Sequence, residues 1–377
     1  MQFTQVTYAW YQQTFWLYLL IILSCYIISI VTPKIVLTNG KHFERNNKYH
    51  LWIGLVGTIL FFFKGFGTTG RDLRGGYYYN FLSATSMSNY RDQTVEIGYR
   101  FFSVIIRNLT SKYSIFVFIL AVLTLAPVLY LLYKYRTKID IPTAVLLYVS
   151  VYFFSGFSPM RQYLASSIAL LAFDALVEKK PIKSLICILL ASTFHIIAII
   201  LLIPYMFTMF KLFNKQLMII TVICVVTTAY FMRTNIAEIL LGTERYDIYG
   251  NAGIVNIGME QFVYFLPLFY VFWKGRRADT NSYFSKISFS YLVTAFLFGL
   301  LGYIITILGR SYSVFLPLII IIPYYIKLLK LHSSNVNKKV INILVLIYCI
   351  SRFVIYITQY YDLEDLMPYT NIFGWIL

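Results

Sequence analysis

Long apolar runs alternate with short polar connections along the whole chain. A helix needs about 20 largely apolar residues to cross a bilayer, and somewhat fewer where the protein thins it. By that length, spans are predicted at about 14–32, 51–66, 114–133, 141–157, 160–177, 216–232, 260–273, 286–307, 311–327 and 339–357. The stretch 184–210 is apolar but broken at His195 and flanked by Lys183 and Lys211. It fits either one over-long helix or two short helices meeting at His195. The first run lacks a basic leader and a small-residue cleavage site, so it is expected to be retained as a span. No internal repeat, low-complexity stretch or inter-domain linker interrupts the pattern. The expectation is one all-α, polytopic membrane domain over 1–377, with about 11–12 transmembrane or half-membrane helices.

Composition sharpens this picture. Of 377 residues, 59% are hydrophobic and only 12% charged. Soluble domains carry roughly 25% charged residues, so there is about half the charge a water-facing surface needs. That excludes a soluble enzyme and a disordered chain. The net charge of +17 would suggest nucleic acid in a soluble protein. In a membrane protein it must first be divided between two faces, and no nucleic-acid partner is expected. Cys25, Cys187, Cys224 and Cys349 all lie inside apolar runs, which argues against a disulfide framework or a cysteine metal site.

Lysine sets the orientation. Lysines cluster in short connections at Lys34/Lys41/Lys48, Lys134/Lys138, Lys179/Lys180/Lys183, Lys211/Lys215, Lys274/Lys286 and Lys327/Lys330/Lys338/Lys339. All can be cytoplasmic only if 184–210 returns to the side it left. That favours two short helices with His195 near the outer face and both termini outside. Arginine runs the other way. Only Arg45, Arg136, Arg276 and Arg277 fall inside, whereas Arg71, Arg74, Arg91, Arg100, Arg107, Arg161, Arg233, Arg245, Arg310 and Arg352 fall on or near the outer side. Guanidinium grips phosphate with a planar fork, which ammonium cannot do. An arginine-rich outer face therefore suggests a phosphate-bearing ligand, against the plainer reading of pairing with outer acids such as Asp72, Glu96 and Asp247.

Two outer segments, 67–113 and 233–259, are long enough to build a site. The first holds the turn Gly70-Arg71-Asp72-Leu73-Arg74-Gly75-Gly76, then Tyr77-Tyr78-Tyr79. It ends in an amphipathic helix whose Arg100, Ser103 and Arg107 stripe is expected to face an aqueous cavity. The second holds Glu244-Arg245-Tyr246-Asp247, with Tyr249 just after. In Ser158-Pro159-Met160-Arg161-Gln162, Ser then Pro reads as a cap and first helical position. An outward helix N-terminus carrying Arg161 is a ready anion site, with an arginine snorkelling to headgroups as the alternative. Arg310, between Gly309 and Ser311 ahead of another span, follows the same logic. His195 can move a proton near neutral pH, though a lone histidine between apolar helices is often a packing residue. Asp72 and Glu96 are the rival bases. Tyr79, Tyr99 and Tyr249, with Gln162, are the candidate sugar contacts. No Asp-x-Asp pair is present, and Asp362-Leu363-Glu364 is a weak substitute, so no metal or cofactor is expected.

In this order, these residues resemble a family. They are Gly70-x-Asp72 with its tyrosines, Glu96-Ile97-Gly98-Tyr99, Arg161-Gln162, Phe194-His195 after Ala191, Arg245-Tyr246 with Tyr249, Arg310 ahead of Phe315 and Pro317, and Pro368-Tyr369 with Asn371. The chain looks like the EpsG family, similar to Wzy-type O-antigen and exopolysaccharide polymerases. Lys64 departs from the pattern, standing where the family's arginine is expected. The resemblance implies a GT-C-like membrane glycosyltransferase in the bacterial plasma membrane, with its active site on the periplasmic side. It would join oligosaccharide units carried on undecaprenyl diphosphate, without a metal, beside a flippase and a chain-length regulator. Arg161, Arg245 and Arg310 would hold the diphosphate, and His195 would be the base, with Asp72 or Glu96 in its place otherwise. An O-antigen ligase using the same donor is the rival enzyme, and a flippase of lipid-linked sugars is the rival from outside catalysis. A transporter often shows two related halves, and none is visible here.

Overall fold

The computed structural model describes residues 2–31, 37–38, 41–42, 48–210, 227, 259–304, 306–374 and 376. Helices dominate. They are α1 (Gln2–Ile30), α2 (Lys48–Gly65), α3 (Arg71–Arg74), α4 (Gly76–Ser83), α5 (Ile97–Leu109), α6 (Tyr113–Lys134), α7 (Ile141–Leu147), α8 (Met160–Val177), α9 (Pro181–Phe194), α10 (Leu202–Met209), α11 (Met259–Arg276), α12 (Ser282–Ile304), α13 (Leu318–Leu331) and α14 (Asn335–Tyr360). A minimal antiparallel pair, Leu37–Thr38 with Lys41–His42, is the sole ladder among the described residues. Among the described residues, four stretches are long and apolar enough to cross a membrane: Ala9–Ile30, Tyr113–Lys134, Tyr283–Gly302 and Asn335–Tyr360. Backbone groups in hydrocarbon must be satisfied within the segment, which is why these sequences are helices. Trp16, Leu20 and Ile27 on α1 and Ile343, Leu344 and Ile347 on α14 remain exposed, as a lipid-facing surface would leave them.

The predicted spans correspond closely to these helices, with three differences. The run 141–157 is α7 followed by a wider π turn (Tyr148–Phe153) and a tight 3₁₀ turn (Phe154–Gly156). Asp140 caps it, its carboxylate accepting the Thr143 N–H at 3.3 Å, with Pro142 in the first turn. The predicted span 311–327 begins late: Thr306–Phe315 is a 3₁₀ stretch, and the α-helix starts only at Leu318. The third concerns 184–210, where α9 ends at Phe194, His195 is extended (φ −156°, ψ 121°), and a 3₁₀ turn (Ile196–Leu201) leads into α10. At 1.5 Å per residue, α9 is about 21 Å long, short of a bilayer core of about 30 Å. Two short helices therefore meet at His195, as one of the two sequence readings has it. The expected span 216–232 and Cys224 lie outside the described residues.

The helix ends gather at two opposite ends of the bundle. At one, Lys134 Nζ meets Asp174 at 2.6 Å, Lys330 Nζ meets Asp140 at 2.8 Å, and the Tyr283 hydroxyl donates to Leu176 O at 3.1 Å. The lysine connections Lys134, Lys180 and Lys330 thus share an end, as the charge pattern predicts. The other end holds α3–α5, the starts of α6 and α8, and the end of α9. The C-terminal tail straps it: Tyr18 donates to Leu366 O at 2.8 Å, Gly67 pairs with Asn371, and Thr68 N–H donates to Thr370 O at 2.8 Å.

Candidate functional site

The second end is organised by Gly70. Its φ of +118° and an approach so close that a Cβ would lie 2.6 Å from Phe157 O leave room for no other residue. The turn it makes donates Gly70 N–H to Asp365 O at 3.0 Å and Arg71 N–H to Glu364 O at 2.9 Å. Arg74 then bridges to Asp365 at 2.9 Å and donates to Thr370 Oγ1 at 2.7 Å. Arg74 and Asp365 are thus structural partners. The tail's role had no signal in periodicity, because it acts through backbone pairing.

Three sequence-predicted residues converge where α5, α8 and α9 meet. Glu96 stands just before α5, Arg161 in the first turn of α8, and His195 at the end of α9. Gly98 permits this meeting, since a Cβ there would collide with Thr193 Oγ1. Arg161 Nη1 pairs with Glu96 Oε2 at 3.0 Å, and both side chains are well shielded. Glu96 Oε1 accepts the Ile196 N–H at 3.1 Å and lies 4.0 Å from His195 Nδ1. Nδ1 itself accepts the Ile197 N–H at 3.3 Å. Burial alone would raise the Glu96 carboxyl, but Arg161, then His195 and the Ile196 N–H, outweigh it and hold it below the usual carboxylate range. A carboxylate held this firmly charged is a poor proton acceptor. With Nδ1 accepting the Ile197 N–H, the neutral His195 ring carries its proton on Nε2, and a proton gained by the ring goes to Nδ1, where Glu96 stabilises the imidazolium.

Ser158 and Pro159 behave differently from the predicted cap. The helix starts at Met160, and Ser158 Oγ instead accepts the Asp72 N–H at 3.4 Å. The Tyr77 hydroxyl accepts the Arg161 N–H at 3.4 Å. In this conformation the protein's own groups, Glu96 and Tyr77, occupy the anion-attracting start of α8. Asp72 lies on the Tyr77 side of the cluster, where burial first and then Asp72 raise the Tyr77 phenol.

The remaining predicted residues fall in three groups. Gln162 is buried and donates to Ser313 Oγ at 2.7 Å, and Tyr99 is buried against Tyr77 (ring centroids 5.7 Å apart) with Arg161 5.9 Å above its ring. Both support the site from behind. Tyr79 is exposed, with Arg91 5.1 Å from its ring centre, and is open to a ligand. Arg245 and Tyr249, with all of the segment 233–259 except Met259, lie outside the described residues, as does the side chain of Arg310. The backbone of Arg310 lies within the 3₁₀ stretch Thr306–Phe315, and not at the head of an α-helix.

The amphipathic α5 buries the middle of its polar stripe and leaves Arg100 and Arg107 half-buried. Tyr99, Ser103 and Ile106 face inward, and Ser103 satisfies its hydroxyl on Tyr99 O at 2.9 Å. Ile97, Phe101, Ile105 and Leu109 form the exposed stripe. Lys64 is buried at the same end, donating to Gly156 O at 2.7 Å among Phe153, Phe157 and Tyr163. It therefore points into the bundle.

A family model described as the EpsG family matches residues 50–371. No curated protein and no solved structure matches the chain.

Proposed function

The chain belongs to the EpsG family, a family of Wzy-like polymerases, and on that premise we propose that it extends an exopolysaccharide or O-antigen chain from units carried on undecaprenyl diphosphate. The observation that carries the reading is the convergence of Arg161, Glu96 and His195 at one end of the bundle. In the proposed reaction, His195 takes the proton of the acceptor's hydroxyl. The hydroxyl oxygen attacks the anomeric carbon of the growing chain, and that carbon's bond to the diphosphate oxygen breaks. The diphosphate leaves as an anion on its lipid, stabilised by Arg161 with Arg245 and Arg310. Glu96 keeps Arg161 extended before the diphosphate arrives and then orients His195. Asp72 is the alternative base. Tyr79 and Tyr249 bind sugar, while Tyr99 and Gln162 hold the frame beneath them. The negative charge of the leaving group falls to guanidinium rather than to a metal. This end faces the periplasm, or the cell exterior, across the plasma membrane, and a chain-length regulator and a flippase act beside it.

Polysaccharide profiling by gel in a strain lacking the gene tests this. Loss of a polymerase leaves one repeat unit on the acceptor, and the wild-type gene restores the ladder. Absence of any unit on the acceptor would identify a ligase instead, and units trapped inside the cell would identify a flippase.

A further inference from the structure

The depth of the polar cluster follows from two neighbouring helices. Ser167 Oγ on α8 donates to Thr124 O on α6 at 2.7 Å, so these residues share a level, and the Lys134–Asp174 pair shows that both helices run toward the same end. Along α6, Tyr113 lies roughly 17 Å beyond Thr124, whereas along α8 Arg161 lies only roughly 9 Å beyond Ser167. Arg161 is therefore recessed by roughly 8 Å below the start of α6, a helix about as long as a bilayer core is thick. Glu96 pairs with Arg161 and shares that depth. Beside them α9 stops at Phe194, and roughly 9 Å of the core above it is left unspanned by that helix. Charged groups at this depth have to be shielded from lipid.

The helix α5 occupies that space. Its Phe102 ring lies 5.7 Å from Phe116, in the first turn of α6, and 6.4 Å from Phe194, the last residue of α9. The Tyr99 ring lies 6.3 Å from Phe116 as well. The helix thus lies across α6 and α9, level with the inside of the α6 span. Its inward face is Tyr99, Ser103 and Ile106, all buried. Its outward face is Ile97, Phe101, Ile105 and Leu109, exposed and recurring every fourth residue. The arginines of α5 turn away from this stripe. Arg100 donates to Gln93 Oε1, and the Arg107 guanidinium lies 5.8 Å from the ring centre of Phe81. The helices that α5 crosses also expose apolar side chains, Ile115 and Phe118 on α6 and Leu189 and Leu190 on α9. An uncharged stripe at the depth of a spanning helix, between two helices with exposed apolar surfaces, is complementary to acyl chains and not to water.

We propose that α5 docks on the bilayer itself. Ile97, Phe101, Ile105 and Leu109 lie among the acyl chains of the leaflet at this end, and α5 is the wall between those chains and the Glu96–Arg161–His195 cluster. The occupant is the hydrocarbon of the bilayer phospholipids. The proposal stands apart from the polymerase reading, because it concerns the wall and no reaction, and its test reads no polysaccharide. Photocrosslinking is carried out in membranes of cells producing the full chain, with p-benzoylphenylalanine in place of Phe101 or, separately, of Ser88. On irradiation the benzophenone carbonyl carbon bonds to the carbon of a neighbouring C–H group, and the hydrogen passes to the ketone oxygen. Mass spectrometry of the peptide at position 101 is expected to show a phospholipid adduct that keeps one fatty acyl chain after ester hydrolysis. The peptide at position 88 is expected to show none. Should the chain altered at Phe101 fail to accumulate, the same replacement at Leu109 decides in its place. A dimer-sized product would make a second copy the occupant, and a cross-link to the segment 233–259 would make it the chain itself. No adduct would place the stripe in water. Each of these outcomes overturns the proposal, as does an equal lipid adduct at Ser88.

Discussion

Arg161 has two partners to satisfy in turn, Glu96 in the structure and an incoming diphosphate in the proposed reaction. Lysine at this position keeps the charge but loses the fork. Arg161→Lys is therefore expected to lower polymer about 10- to 100-fold, the worth of one or two charge-assisted hydrogen bonds, at unchanged protein level. Arg277→Lys, exposed at the lysine end, is the control and should be silent. Equal tolerance at both positions would remove Arg161 from the site. His195→Gln should lower the rate of chain extension by about 10²- to 10⁴-fold while donor binding holds. If Asp72→Asn loses activity and His195→Gln keeps it, the base is the carboxylate. Glu96 supplies a pH signature. Its carboxyl is held below the usual range when folded, so its stabilisation is complete above the unfolded carboxyl's value of about 4.3 and fades as pH falls through the folded one. The wild type should exceed Glu96→Gln in Tm at pH 7, and the gap should close in acid. A gap that does not narrow as pH falls below about 4.3 would mean the glutamate acts by packing and not by charge.

At the scale of elements, the site depends on α5 reaching the end of α9. Gly98 sets that distance, because any side chain there meets Thr193. Gly98→Val should destabilise the contact by about 1–3 kcal/mol, as overpacking does, and uncouple Glu96 from His195. Thr193→Ala in the same chain removes the opposing hydroxyl and methyl, and should recover part of the lost polymer. Failure of that rescue would place the defect elsewhere. The break at His195 was legible in the charge pattern, since one long helix would have put Lys211 on the wrong side. How deeply α5 sets the middle of its polar stripe was not legible. Arg100, Ser103 and Arg107 make a polar stripe by spacing, yet Ser103 is buried because a neighbouring carbonyl takes its hydroxyl.

Across the whole molecule, the arrangement of helix ends predicts accessibility. Single cysteines at Ser88 and at Lys180 sit exposed at opposite ends of the bundle. In intact cells a membrane-impermeant thiol reagent should label the Ser88 cysteine and spare the one at Lys180. The reverse pattern would turn the proposed site toward the cytoplasm.

Amphipathic and apolar periodicity, read with the division of lysine from arginine, determined the membrane class, most helix boundaries, the break at His195 and the set of residues worth testing. These follow from local physics: the cost of bare backbone in hydrocarbon and the insertion bias against translocated lysine. Tertiary structure alone decided the pairings. Arg161 with Glu96, Gln162 with Ser313, and the tail on Gly67 and Gly70 join residues far apart in the chain. A side chain's partner depends on which helices meet and how each is rotated, and no window of sequence carries that information.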